Sequence, residues 1–199
     1  SSETDLAALE AKQETVSDIF PQVGIAVTIH KNCTPFLSTT HVVPPAVTLG
    51  MGCRKNKEAG AVEKAMFASL EKNQIYPQAV SCLASIDIKK EEPGFLALAE
   101  KMGIPFETFS SEELLAVKGE FTASSFVSRT VGVDNVCERS ALKAAQDRIC
   151  LNTGRIPERN QTKPGTRRGG EHCRLIQRKQ AADGVTAALV LADWRIHFE

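Results

Sequence analysis

The 199-residue chain carries 24 Lys and Arg against 24 Asp and Glu, so its formal net charge is zero and no sequence-wide field draws it to nucleic acid or an acidic membrane. Its 42% hydrophobic share is enough for a core in one ordinary domain, or one domain carrying a piece of a second, yet no apolar run approaches the ~18 residues a spanning helix requires. The opening residues, S-S-E-T-D, are acidic where a signal peptide is basic, which predicts a cytoplasmic protein.

Residues 5–19 place Leu6, Leu9, Val16 and Ile19 at roughly helical intervals, with Gln13 interrupting the stripe. After Pro21, V-G-I-A-V-T-I has the β-branched enrichment of a strand. Residues 33–46, with Pro35, Pro44 and Pro45, read as a loop and as the best candidate domain boundary. V-T-L-G-M-G-C-R-K-N-K at 47–57 then reads as a buried strand ending in Gly50 and Gly52 and breaking at Cys53-Arg54-Lys55, with Asn56 as N-cap of the next helix. Two glycines at a strand end allow close approach to the backbone, and a helix N-terminus with Arg54, Lys55 and Lys57 beside it favours a carboxylate or phosphate. Lys55 stands where the dinucleotide fingerprint needs its third glycine, and the four-residue spacer of a P-loop is absent. The same stretch is equally an ordinary strand-to-helix turn with a solvated basic end.

Residues 57–73 carry Val62, Ala65, Met66 and Leu70 on one face, an amphipathic helix. A-V-S-C-L-A-S-I-D-I is a second buried strand whose exit is marked by Ser85, Asp87 and Lys89, with Ser85 and Asp87 sharing a face. A strand-helix-strand unit of this length normally crosses over right-handed to a parallel neighbour, which places Val47–Gly52 and Ala79–Ile88 in one sheet. Pro93 opens a helix that Gly103 closes, P-F-E-T-F is a short strand, and Ser110 with Glu113 forms a capping box. A short helix over 124–131 is expected to end at Gly132. A longer one follows, capped by Asn135 with Glu138 three residues on, and buries Val136, Ala141, Leu142 and Ala145.

Residues 152–170 have no periodicity and five basic residues against one acidic, so they read as a flexible basic loop. Two strands, 173–179 and 185–195, join at Asp183-Gly184, a hairpin signal. The fold class expected is a layered α/β domain: a mixed β-sheet flanked by helices, closed by a β-hairpin. The six cysteines are scattered without a C-x-x-C pair, and the four histidines lack ligand spacing, so no metal site is assigned. Cys82 and Cys137 lie in apolar patterns, where a reduced thiol acts as a small hydrophobe.

L-G-M-G-C-R-K at 49–55, S-I-D-I-K-K-E-E-P-G-F-L-A-L-A at 85–99, V-G-V-D-N-V-C-E-R-S-A-L at 131–142 and the late D-G-V-T-A-A-L-V resemble, in that order and spacing, the C-terminal domain shared by CbiG and CobE of cobalamin biosynthesis. The resemblance covers 47–199, and residues 1–46 resemble a remnant of the CbiG middle domain and its linker. It implies cobalt-precorrin-5A hydrolase: water opens the δ-lactone of a cobalt-corrinoid and a two-carbon fragment leaves as acetaldehyde. The alternative is a non-catalytic, CobE-like domain that binds the corrinoid intermediate. Cobalt then comes with the substrate and no cofactor is needed; other corrin-pathway enzymes are the remaining candidate partners.

Lactone opening needs a base for water and donors for an oxyanion. The candidate bases are Asp87 and Glu138, against which stand a strand-end turn residue and a capping-box member. The candidate substrate contacts are Gly50, Gly52, Cys53, Arg54, Ser85 and Lys89, with backbone N–H groups near Gly52–Arg54 as oxyanion donors; residues such as Lys89 and Lys90 are more usually a solvated strand exit, but beside Arg54 they are candidates to hold acetate or propionate side chains. A Cys53 nucleophile lacks a histidine at motif spacing.

Overall fold

The computed structural model describes residues 22–122, 133–153 and 173–193. The helices expected over 5–19 and 124–131 lie outside these residues, as does most of the 152–170 segment. The first strands, β1 (Val23–Val27) and β2 (Ser38–Val42), pair in parallel as a two-stranded sheet. β2 corrects the expectation of a loop over 33–46. Its sequence, S-T-T-H-V, has no apolar alternation, and its strand conformation rests on β-branched residues paired with β1.

The main sheet has five strands in the order β5-β4-β3-β7-β6. β3 (Val47–Cys53) pairs in parallel with β4 (Val80–Ile86), and β4 with β5 (Phe106–Phe109). On the other side β7 (Val185–Ala192) runs antiparallel to β3, and β6 (Cys173–Ala182) antiparallel to β7. The mixed sheet, the parallel β3–β4 pair and the closing hairpin follow the sequence reading. Asp183 and Gly184 turn the hairpin with φ of 49° and 73°, the left-handed pair that suits a tight turn between twisted strands.

Alternation along the strands sorts the helices onto two faces. Leu49, Met51 and Leu83 meet α1 (Ala59–Lys72) through Val62, Met66 and Leu70, and α2 (Pro93–Met102) through Phe95, Leu98 and Ala99. Cys82, Ala84 and Ile86 face the other way, towards Leu114 of α3 (Ser111–Ala116) and Val136 and Ala144 of α4 (Val136–Thr153). Burying each of the larger side chains contributes about 1.5–3 kcal/mol, so both layers are needed to hold the sheet.

The helix ends follow local chemistry. Gly103, at φ 64°, closes α2 while its N–H bonds Glu100 O and that of Ile104 bonds Ala99 O, the paired bonds of a Schellman cap. Ser110 and Glu113 bond reciprocally at the start of α3. Asn56 is not the cap of α1: it adopts a left-handed φ of 57°, and the helix begins at Ala59 behind Glu58. α4 continues to Thr153, two residues into the segment read as loop.

Candidate functional site

The chain leaves β3, runs β4 and β5 to one side, and returns through α4 on the opposite face to the hairpin beside β3. In open α/β sheets such a reversal opens a crevice outside the carboxyl ends of the strands. The C-terminal ends of β3 and β4 meet the hairpin tip at that edge. Arg54 N–H donates to Gly184 O at 3.2 Å, and the aliphatic stem of Arg54 lies over Gly184. Arg54, Lys55 and Asn56 are exposed. Among the described residues no side-chain partner holds the Arg54 guanidinium.

Gly50 and Gly52 serve the fold at close quarters. A Cβ at Gly50 would overlap the Cys137 carbonyl oxygen, so its bare backbone is the seat of α4. A Cβ at Gly52 would stand 2.9 Å from Thr186 Oγ1, whose hydroxyl donates to Gly52 O at 3.2 Å. Ser85 is fully buried and its hydroxyl donates to Met51 O at 2.8 Å, stitching β4 to β3. Neither Gly50 nor Ser85 faces open space.

Cys53 is half-buried, and burial pushes its thiol up to about 11 even though the neighbouring Lys89 pulls it down. It is therefore a protonated thiol at neutral pH, inert as a nucleophile without a base. Lys89 Nζ is 2.8 Å from Glu92 Oε2 in a largely buried ion pair. Glu92 Oε1 accepts the Lys57 N–H at 3.0 Å. Glu92 is the site residue that sequence reasoning missed; its one signal is an acidic residue directly before Pro93, at the N-cap of α2.

Asp87 begins the short turn Asp87–Lys89 after β4 and is exposed. Its carboxylate has no hydrogen-bond or ion-pair partner among the described residues. Glu138 sits in the first turn of α4, on the helix that packs against the Cys82–Ile86 face of the sheet. It is fully buried, and its oxygens accept from Thr122 N at 3.1 Å, Thr122 Oγ1 at 2.8 Å and Lys179 N at 2.6 Å. Burial pushes this carboxyl up, but the bonds from Lys179 and Thr122 outweigh it and hold it below the ordinary range. Asn135 Oδ1 accepts the Glu138 N–H at 3.0 Å, as the cap spacing predicts. Among the described residues no group of three or more His, Cys, Asp or Glu converges as a metal site, and no helix is long and apolar enough to cross a membrane.

A family model described as the cobalamin synthesis G C-terminus matches residues 47–190. The chain belongs to that family. Within it, the cobalt-precorrin-5A hydrolase of Salmonella typhimurium is 33% identical over 125 residues, which are 62% of this chain and 36% of that protein. The cobalt-precorrin-5A hydrolase of Priestia megaterium is 30% identical over 99 residues, 50% of this chain and 26% of that protein. The chain thus spans well under half the length of the curated relatives it matches. Two solved structures share the fold. CobE, a protein from the cobalamin biosynthetic pathway, superposes with a TM-score of 0.58 at 23% identity, covering 73% of this chain and 89% of that one. A cobalamin biosynthesis protein G homologue from Sulfolobus solfataricus gives 0.52 at 19% identity, covering 86% of this chain and 44% of that one.

Proposed function

We propose that this chain serves the cobalt-precorrin-5A hydrolase step of corrin-ring biosynthesis in the cytoplasm, its C-terminal-edge crevice receiving the cobalt-corrinoid. The observation that carries the reading is that exposed Arg54 and Lys55 follow β3 while Asp87, whose carboxylate has no partner among the described residues, follows the parallel β4, two strand ends on one edge of the sheet. A macrocycle fringed with carboxylates finds cations there, and its lactone finds a base. Relatives carrying the hydrolase name, at 33% and 30% identity, support the same step.

In this reading Asp87 takes a proton from the attacking water as its oxygen adds to the lactone carbonyl, and the acyl C–O bond then breaks to leave a carboxylic acid and a ring-attached alkoxide; acetaldehyde leaves as that alkoxide carbon becomes a carbonyl and its C–C bond to the macrocycle breaks, the electron pair staying on the corrinoid, which takes up the proton. The developing oxyanion falls to the Arg54 side chain, because the Arg54 backbone N–H is already spent on Gly184 O. Arg54 also grips a peripheral carboxylate with its two-pronged guanidinium, a geometry Lys cannot copy. Glu138 takes no part in the chemistry, and the cobalt travels with the substrate.

A second reading is a CobE-like binding domain that hands the intermediate to other corrin-pathway enzymes. The bonding of Glu138 favours it: its oxygens are taken by Thr122 and Lys179, which leaves Asp87 as the one candidate base whose carboxylate has no partner among the described residues. One assay separates the readings. The purified chain is mixed with cobalt-precorrin-5A while the visible spectrum and acetaldehyde are followed. A spectral change with acetaldehyde supports hydrolysis, a spectral change alone supports binding, and neither overturns both.

A further inference from the structure

The turn that carries Arg54 and Lys55 lies outside both the sheet and α1, yet it must hold one shape if it is to present those cations. Two backbone tethers fix it: Arg54 N–H to Gly184 O at its start and Lys57 N–H to Glu92 Oε1 at its end. We infer that Glu92 is a positioning residue for the corrinoid crevice, acting through the Lys57 backbone; this rests on the proposed binding of the corrinoid at that edge.

Glu92 is 5% exposed, and both carboxylate oxygens are used, one by Lys57 N–H at 3.0 Å and the other by Lys89 Nζ at 2.8 Å. Its own backbone is fixed as well: its N–H donates to Lys89 O at 3.0 Å, and its carbonyl accepts from Phe95 and Leu96 at the start of α2. The packing behind it leaves no slack, because a Cβ on Gly94 would stand 3.0 Å from both Lys57 O and Val62 Cγ2. A carboxylate held this rigidly transmits the position of α2 to the turn 35 residues earlier. The same arrangement withdraws Lys89 from the substrate: its ammonium neutralises a buried carboxylate that would otherwise stand uncompensated. Arg54 and Lys55, exposed and without a side-chain partner among the described residues, remain to meet ligand carboxylates.

A double-mutant cycle with Arg54 tests this. Cobalt-precorrin-5A binding is titrated for the wild type, Arg54→Ala, Glu92→Ala and the pair, with hydrogen exchange of the Lys57 amide followed in the ligand-free proteins. Each single change is expected to weaken binding about tenfold, and the pair about tenfold rather than a hundredfold, because loss of the tether and loss of the guanidinium remove one interaction. Glu92→Gln keeps an oxygen for Lys57 N–H and is expected to retain slow Lys57 exchange, while Glu92→Ala speeds it. Should Glu92→Ala fail to fold, Glu92→Asp, which keeps the charge but is too short to reach Lys57, runs the same cycle. A multiplicative cycle, or unchanged Lys57 exchange without the carboxylate, overturns the role of Glu92 while leaving the crevice intact. Absence of wild-type binding overturns the crevice and the role of Glu92 with it.

Discussion

Asp87 and Glu138 are both carboxylates near the ends of main-sheet elements, and their surroundings have nothing else in common. Asp87 is exposed on a short turn and its carboxylate has no partner among the described residues, whereas Glu138 is fully buried and joins three segments: the strand β6 through Lys179, the 117–122 stretch through Thr122, and the cap of α4 through Asn135. Arg139 reinforces the same clasp, donating to Leu114 O and Val117 O and lying over the Phe121 ring at 4.1 Å. The contrast teaches that residue type does not assign a role to a carboxylate; its hydrogen-bond inventory does. A group whose lone pairs are consumed by the fold holds structure, and a group with open lone pairs can meet a substrate.

The largest effect is expected from the side of the molecule that is fully committed. Gly50→Ala drives a methyl into the Cys137 carbonyl and Ala141, both on the helix that α4 lays across β3. Neither backbone can yield without moving its element, so unfolding in urea should show a loss of about 3 kcal/mol, the upper end for overpacking. Gly52→Ala meets only the Thr186 hydroxyl, a side chain that can turn away, and should cost about 1 kcal/mol. Equal losses at the two glycines would mean that α4 is not seated on Gly50.

Glu138→Ala comes next, with an expected loss of about 2–3 kcal/mol, because it strands the Thr122 and Lys179 N–H groups without acceptors. The pH dependence sharpens this. The folded-state Glu138 carboxyl lies below its ordinary value of 4.5, so its stabilising contribution is fully present above that value and is lost as pH falls through the folded pKa. Between pH 7 and pH 3 the wild type should therefore lose more stability than Glu138→Gln. Asp134, paired with Arg139, and Glu113, bonded to Ser110, shift in the same direction, so the acid limb should shrink in Glu138→Gln rather than vanish. An acid limb of unchanged depth would show that the clasp does not depend on the charge.

The parts of this fold that the sequence made legible are those decided within a few residues. The Ser110–Glu113 box, the Pro93 start, the Gly103 stop and the Asp183-Gly184 turn each depend on one residue's backbone preference or one side chain's reach. The parallel β3–β4 pair was legible because connection length and handedness restrict it. What stayed hidden depends on partners far along the chain. Gly50 looks like a ligand-approach glycine until α4 arrives from almost ninety residues away, and Glu138 looks like half of a capping box until Lys179 takes its oxygen from 41 residues on. β2 was missed for a related reason: the prolines on either side of it and its own polar residues read as loop, and only pairing with β1 makes it a strand.

The smallest expected effect on stability belongs to Asp87→Asn, and it is the change that tests the other half of the comparison. Asp87 is exposed and its side chain holds nothing among the described residues, so the urea midpoint should move by no more than about 0.5 kcal/mol equivalent, as for ordinary surface positions. If Asp87 is the base that activates water, the same change should lower acetaldehyde release from cobalt-precorrin-5A by ~10²–10⁴-fold, the usual contribution of a positioned general base, because an amide cannot take the proton. Binding of the corrinoid should survive, since Arg54 and Lys55 are untouched and a negative charge near the ligand's own carboxylates has been removed. Loss of stability alongside activity would place Asp87 with Glu138 as a structural group. Unchanged acetaldehyde release with unchanged binding would leave the crevice as a holding site and send the search for the base elsewhere.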